Sequence, residues 1–143
     1  TIAAIVPCYN EALSIASVVA DLRAAVPDML IYVYDNRSTD GTAEIAARAG
    51  AIVRYENTKG KGNVVRRAFA DIEADIYLLI DGDDTYDASA APGMVNAARL
   101  ASGLSGLSGR TAARRFARAS AISRVCRLAQ IPEQLMQPRP LFA

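Results

Sequence analysis

Short apolar runs alternate with amphipathic segments along the first two thirds of the chain. The apolar runs at residues 3–6, 30–34, 51–55 and 76–80 have the lengths typical of buried strands. Between them, apolar residues recur at helical spacing, as in residues 11–26, where positions 15, 18, 19, 22 and 26 share one face. The pattern therefore predicts four strands separated by helices.

Capping and turn residues indicate where the helices begin and end. Asn10 is a suitable N-cap for the helix over residues 11–26, and Asp40 suits a short helix that ends at residue 49. Gly60 opens a third helix, and Pro92 is expected in the first turn of a fourth, which runs to about residue 100. The third helix is expected to bury the face made by Val65, Ala68, Phe69 and Ile72.

Strand–helix alternation with short connections predicts an α/β fold, with a mostly parallel sheet of strand order 3-2-1-4 and flanking helices. In that order the first and fourth strands are neighbours at the point where the winding reverses, and ligands bind beyond their carboxyl ends. The residues that follow the strands are polar: Tyr9, Asn10, Glu11, Asp35, Asn36, Asp81, Asp83 and Asp84. The sequence thus predicts one polar crevice at this edge of the sheet.

Composition narrows the classes of protein that the chain can represent. With 143 residues and 52% hydrophobic content, the chain is long enough for one domain with a sizeable core. The absence of His excludes His-based zinc sites and the Ser-His-Asp triad. Cys8 is expected to be a small buried residue rather than a nucleophile. No apolar stretch approaches the ~20 residues that span a bilayer, and no signal peptide is recognisable.

Charge divides the chain into two unlike parts. Residues 1–95 hold 14 Asp and Glu against 8 Lys and Arg, a net charge of −6. Residues 96–143 hold 8 Arg and one Glu, a net charge of +7, in an Arg- and Ala-rich tail whose structure the sequence does not predict. We therefore expect residues 1–95 to form one unit that is distinct from the tail, residues 96–143. The abrupt change motivates the hypothesis that the tail results from truncation or out-of-frame translation.

Acidic side chains in one crevice repel one another, and a divalent cation would offset their charge. Asp81 and Asp83 could both direct oxygens at one Mg²⁺ or Mn²⁺, which carboxylates bind together with substrate phosphates. Lys61, between two glycines at a helix N-terminus, suits a diphosphate. The alternatives are a solvated acidic loop, an ordinary Gly-Lys-Gly turn and, for Tyr9, simple packing. Taken together, the residues favour a phosphorylated ligand bound through a metal.

Four motifs, in this order and spacing, resemble those of family 2 glycosyltransferases of GT-A fold. They are IVPCYNE at residues 5–11, YDNRSTDGT at residues 34–42, GKG at residues 60–62 and DGDD at residues 81–84. The resemblance covers residues 2–95 and implies that residues 1–95 are the nucleotide-sugar-binding part of a GT-A glycosyltransferase domain. Within the family, the chain is most similar to enzymes that load sugars onto polyprenyl phosphates, such as the dolichol-phosphate sugar synthases.

The resemblance implies roles for individual residues. The nucleotide-sugar would be bound by Pro7, Tyr9, Glu11, Asp35, Asn36, Lys61, Asp81, Gly82 and Asp83. Asp81 and Asp83 would form the metal-binding DxD motif. Asn36 replaces the second Asp of a pair that faces the nucleoside in the family, a departure that bears on base preference. A catalytic base is not predicted from the sequence.

The function implied is transfer of a sugar from a nucleotide-diphosphate-sugar to an acceptor such as a polyprenyl phosphate, by metal-assisted inverting displacement. The alternative is a nucleotide-sugar-binding remnant without turnover, and a third class is an interaction module that works through the Arg-rich tail. A phosphatase with Asp81 as nucleophile is disfavoured, because no Lys follows residue 87. We expect a cytoplasmic protein, peripheral at the membrane face where the acceptor lies, and no nucleic-acid partner.

Overall fold

Strands and helices alternate along residues 1–103, the part of the chain that this computed structural model describes. The strands are β1 (Ile2–Cys8), β2 (Leu30–Asp35), β3 (Ile52–Tyr55) and β4 (Ile76–Leu79). The helices are α1 (Ile15–Ala25), α2 (Thr42–Arg48), α3 (Lys61–Asp71) and α4 (Ala91–Gly103), the last preceded by a 3₁₀ turn at Ala88–Ala90. The predicted alternation is confirmed.

The four strands form one parallel sheet of order β3-β2-β1-β4, as predicted. β1 is central and pairs on both sides, so that Ala4 lies opposite Ile31 of β2 and Leu78 of β4. The chain proceeds outward from β1 through β2 to β3 and then returns to the other side of β1. The winding therefore reverses between β1 and β4, which is where an open parallel sheet binds its ligands.

Successive residues of β1 point to opposite faces of the sheet, and each face has its own core. One face packs residues of α1, α2 and α4 against the sheet, with Ile15, Val19 and Leu22 of α1 completely buried. The other face packs Val64, Val65 and Ala68 of α3 against Ala3 and Ile5 of β1. Helices thus cover both faces, which explains why β4 is apolar at every position.

The expected start of the first helix is wrong by four residues. α1 begins at Ile15 with Ser14 as N-cap, whereas Asn10 adopts a left-handed conformation with φ of 56°. The backbone N–H of Asn10 donates to Ser38 Oγ at 2.9 Å. Because this bond attaches the loop after β1 to the loop after β2, the helix cannot begin until the chain has left that contact.

Smaller differences affect the other helices. The N-cap of α2 is Gly41, in a left-handed conformation with φ of 84°, and Asp40 lies one residue before it. The Asp40 side chain still bonds to the first residue of the helix, because Asp40 Oδ1 accepts from Thr42 N at 3.1 Å. In the predicted face of the third helix, Phe69 is half-buried and Ile72 lies one residue beyond the helix end, where it is still buried.

The fourth helix begins one residue before Pro92 and continues to Gly103, across the composition boundary at residue 96. The Arg-rich segment from residue 104 onward, on which the tail hypothesis rests, lies outside the described residues. Among residues 1–103, no helix has the length and apolar character that a membrane span requires.

Candidate functional site

An open crevice with a volume of about 250 Å³ lies beyond the carboxyl ends of β1 and β4. It is lined by Pro7, Cys8, Tyr9, Glu11, Asn36, Lys61, Val64, Asp81, Gly82 and Asp83. Eight of the nine residues predicted from the sequence are therefore in its wall. The fold brings together four separate segments here, because the ends of parallel strands and the first turn of α3 meet at one edge of the sheet.

Asp35 is the predicted residue that does not line the crevice. It is the last residue of β2, its side chain is only 4% exposed, and its Oδ1 accepts a hydrogen bond from Ser38 N at 2.7 Å. Asp35 therefore supports the loop after β2 from behind the crevice wall, while the neighbouring Asn36 reaches the wall itself.

Lys61 and the acidic loop after β4 face each other across the crevice. Lys61 Nζ forms an ion pair with Asp81 Oδ1. Asp83 Oδ1 accepts from Thr85 Oγ1 at 2.7 Å and from Thr85 N at 3.2 Å. The Thr85 hydroxyl is the main reason why the pKa of Asp83 lies below its usual value. The Asp83 carboxylate is therefore ionised at neutral pH and remains available on the crevice side.

Glu11 experiences the negative charge of this loop. Its pKa is raised first by burial and second by the charge of Asp83, with a smaller opposing effect from the Ser14 hydroxyl. The negative charge of Asp83 thus disfavours the ionised form of Glu11, and a bound cation would relieve this repulsion.

The crevice offers part of a metal site rather than a complete one. Within residues 1–103, no three acidic or Cys side chains are grouped closely enough to hold an ion by themselves. Asp81 and Asp83 do supply two carboxylates, and Mg²⁺ is commonly held by one or two carboxylates with substrate phosphates and water completing its shell. The donor set fits a divalent cation that binds together with a phosphorylated ligand.

Gly82 is packed against the end of β1 so closely that no side chain fits. A Cβ at this position would lie 2.6 Å from Cys8 Sγ, and the Gly82 carbonyl accepts from Ser14 Oγ at 2.6 Å. The Cys8 thiol is 3% exposed, and burial, followed by the charges of Glu11 and Asp35, raises its pKa to about 12. The expectation that Cys8 is buried is confirmed, and its thiol is protonated at neutral pH.

Tyr9 presents an open aromatic ring at the mouth of the crevice. The residue is 51% exposed, and Lys59 Nζ lies 5.5 Å from the ring centroid. An exposed ring beside a polar crevice can stack on a planar ligand, whereas the packing alternative would require the ring to be covered.

A set of hydrogen bonds that the sequence analysis missed joins the loop after β1 (residues 10–12) to residues 38–42 after β2. The bonds are Asn10 N to Ser38 Oγ (2.9 Å), Thr39 N to Asn10 Oδ1 (2.9 Å), Glu11 N to Thr42 Oγ1 (2.9 Å) and Ala12 N to Asp40 Oδ2 (3.0 Å). The dense run of hydroxyl and carboxylate side chains in residues 38–42 was the available signal, since such residues bond to nearby backbone groups.

Comparison with known proteins relates this arrangement to sugar transfer. The model of the family described as "Glycosyl transferase family 2" matches residues 3–104. Protein RfbJ of Shigella flexneri is 60% identical over 95 residues, which cover 66% of this chain and 74% of RfbJ. Glycosyltransferase AglJ of Haloferax volcanii is 45% identical over 92 residues, which cover 63% of this chain but only 30% of AglJ.

Solved structures lead to the same family. Glucosyl-3-phosphoglycerate synthase of Mycobacterium tuberculosis superposes with a TM-score of 0.60 at 30% identity, over 67% of this chain and 39% of the synthase chain. Another structure of that synthase, with a TM-score of 0.59, 28% identity and coverage of 67% and 38%, is a complex with Mn²⁺, UDP-glucose and phosphoglyceric acid. This chain thus spans less than half the length of the synthase. The family match agrees with the strand order and with the position of the crevice. The chain therefore belongs to glycosyl transferase family 2 and has a GT-A-like fold.

Proposed function

We propose that the crevice binds a nucleoside-diphosphate sugar and that the chain contributes to transfer of the sugar with inversion at the anomeric carbon. The observation that supports this most directly is the composition of one crevice wall. It combines two carboxylates of a DxD motif, a Lys at a helix N-terminus and an exposed aromatic ring. These are the groups that a metal–diphosphate and a planar base require.

Each part of the ligand has a counterpart in the wall. Pro7, Tyr9 and Glu11 at the end of β1 are proposed to contact the base and ribose, and Asp35 is proposed to support the adjacent loop after β2. Lys61 and the first backbone N–H groups of α3 are proposed to bind the diphosphate, because a helix N-terminus carries partial positive charge.

Asp81 and Asp83, with Gly82 between them, are proposed to hold Mg²⁺ or Mn²⁺. When bound, the ion supplies Lewis-acid stabilisation of the negative charge that develops on the nucleoside-diphosphate leaving group. The residues of the chain orient that leaving group: Lys61 exchanges its Asp81 partner for diphosphate oxygens, and the 2.6 Å bond from Ser14 to the Gly82 carbonyl fixes the acidic loop.

The proposed acceptor carries a phosphate. A phosphate oxygen is already ionised near neutral pH and needs little assistance from a general base. A polyprenyl phosphate would bring the chain to the cytoplasmic face of a membrane as a peripheral protein, whereas phosphoglyceric acid, which is bound in the synthase complex, would not. Transfer assays with both compounds distinguish these acceptors.

The donor site can be tested by calorimetry with UDP-, GDP- and dTDP-linked sugars, with and without Mn²⁺. The informative variant is Asp83→Asn, and its matched control is Asp84→Asn, which removes the same charge at a neighbouring residue outside the crevice wall. We expect Mn²⁺ to increase donor affinity at least tenfold in the unaltered chain and in Asp84→Asn, but not in Asp83→Asn. An equal Mn²⁺ response in both variants would refute the metal assignment.

A second candidate is donor binding without transfer. Every acidic or basic side chain that lines the crevice, among the described residues, already has a proposed part in donor or metal binding. None of them is left to act on an acceptor, and this favours the second candidate. Donor hydrolysis and transfer assays on the same preparation separate the candidates. Tight, metal-dependent binding without release of the nucleoside diphosphate would support this candidate over the transferase.

A further inference from the structure

The side chain of Asn36 is fully engaged by the backbone of residues 56–60. Asn36 is 6% exposed, and its Nδ2 donates to Glu56 O at 2.7 Å and to Thr58 O at 2.9 Å. Its Oδ1 accepts from Gly60 N at 2.8 Å. This orientation of the amide is the one that pairs each donor with an acceptor.

These bonds use all the donor capacity of the side chain. A primary amide carries two N–H hydrogens, and in Asn36 both point to backbone carbonyls. No amide hydrogen remains for a ligand in the crevice. An Asp at this position would place a carboxylate oxygen against two carbonyl oxygens and would have no hydrogen to donate to either.

The segment that Asn36 holds determines where α3 begins. Gly60 is the N-cap of α3 and has a φ of 122°, and Lys61 is the first residue of the helix. Lys61 reaches across the crevice to Asp81, and Lys59, in the same segment, lies over the Tyr9 ring. The position of two cationic side chains at the crevice thus depends on the attachment of residues 56–60 to the end of β2.

We infer that Asn36 is a positioning residue: its amide fixes residues 56–60 and thereby directs Lys61 and the N-terminus of α3 toward the diphosphate of the donor, and it does not read the nucleobase. The inference deepens the proposed function and rests on it. The family resemblance predicts an Asp at position 36. By this inference, the Asn found there serves to attach α3 to the end of β2 and does not determine which base binds.

The test compares Asn36→Asp with Asn57→Asp, which adds the same charge at an exposed position of the same segment. In Asn36→Asp we expect amide hydrogen exchange over residues 56–62 to accelerate at least tenfold. We also expect the affinities for UDP, GDP and dTDP, measured with Mn²⁺ present, to fall by a common factor of about ten or more. Asn57→Asp should change neither quantity by more than about twofold.

A base-reading role gives the opposite pattern and would overturn the inference: unchanged exchange over residues 56–62 and altered ratios among the three nucleotide affinities. If Asn36→Asp does not fold, Asn36→Ala removes the same bonds without adding charge, and the same criteria apply.

Because Asn36 acts through Lys61, adding Asn36→Asp to Lys61→Ala should weaken UDP binding much less than Asn36→Asp does alone. If the unaltered chain binds none of the nucleotides, the proposed function fails, while hydrogen exchange still decides whether Asn36 holds the segment.

Discussion

Gly82 and Cys8 meet at the base of the crevice, where a single added methyl group has no space. The ideal Cβ at Gly82 lies 2.6 Å from Cys8 Sγ, whereas its next contacts, Glu11 Cγ at 3.5 Å and the Pro7 carbonyl at 3.6 Å, are ordinary van der Waals distances. The steric requirement for Gly at this position therefore comes from one sulfur atom. Gly82 lies between Asp81 and Asp83, so this contact brings the acidic loop close to the end of β1.

We predict that Gly82→Ala lowers the free energy of unfolding by about 1–3 kcal/mol, the usual cost of overpacking. Adding Cys8→Ala removes the sulfur and should recover most of the loss that Gly82→Ala causes, as a double-mutant cycle in urea denaturation would measure. Gly93→Ala is the matched control, because a Cβ there meets nothing within 4 Å, and in a helix it should be neutral or stabilising. Additive effects of the two substitutions would contradict the assignment of the clash to Cys8.

Sequence reasoning identified the residues of the crevice wall but not the contacts between them. Tyr9, Lys61 and Asp83 were recognisable because strand ends and helix N-termini converge at one edge of a parallel sheet. The bond from Ser14 to Gly82 joins residues 68 positions apart, and it depends on how closely two loops approach. No local pattern encodes that distance.

The loops after β1 and β2 behave as one structural element, because side chains of residues 38–42 satisfy backbone N–H groups of residues 10–12. Thr42 is central to this contact and is completely buried. Its hydroxyl accepts from Glu11 N at 2.9 Å and donates to Asp40 Oδ1 at 2.5 Å. The position of Glu11 in the crevice thus depends on a residue of α2.

We predict that Thr42→Val, which keeps the shape of the side chain, destabilises the fold by about 1–3 kcal/mol because it leaves Glu11 N–H without its acceptor. Hydrogen exchange at the Glu11 and Ala12 amides should accelerate in the same variant. Thr58→Val, an identical change at an exposed position, should alter the free energy of unfolding by less than about 0.5 kcal/mol. Equal effects of the two variants would show that the hydroxyl bonds of Thr42 contribute little.

The strands were predictable at the level of elements because buried parallel strands are continuous apolar runs, as the four buried residues of β4 illustrate. The start of α1 was not predictable from capping preference alone. Asn10 is a good N-cap by type, but its backbone N–H is already bonded to Ser38. A tertiary contact thus overrode a local preference, and the helix begins at Ile15 instead.

At the scale of the described molecule, three acidic side chains and one Lys line the crevice where the ligand is proposed to bind. Residues 1–95 have a net charge of −6, and burial together with the charge of Asp83 raises the pKa of Glu11. A group whose pKa is raised on folding stabilises the fold below its ordinary pKa, and that contribution is lost as the pH rises through the folded value. At neutral pH, the ionised Glu11 therefore opposes folding.

We predict that Glu11→Gln is more stable than the unaltered chain near neutral pH and binds the nucleotide-sugar less tightly. The gain in melting temperature should shrink as the pH falls and vanish below about pH 4, where Glu11 is protonated in both folded and unfolded states. Thermal unfolding at pH values from about 3.5 to 8 measures the difference. Glu44→Gln, in the first turn of α2, is the control and should not reproduce this pH-dependent gain. A gain that is independent of pH would contradict the electrostatic explanation.

The crevice wall is formed by four stretches of chain that extend from Pro7 to Asp83, 76 positions apart. None of these stretches forms the wall alone, so a ligand that binds there has affinity for the native state and essentially none for the unfolded chain. Occupancy is then linked to global unfolding: a ligand at one hundred times its dissociation constant adds about 2.7 kcal/mol to the stability of the whole domain. A melting-point screen of nucleotides with metal ions would consequently rank donor chemistries before any acceptor is known.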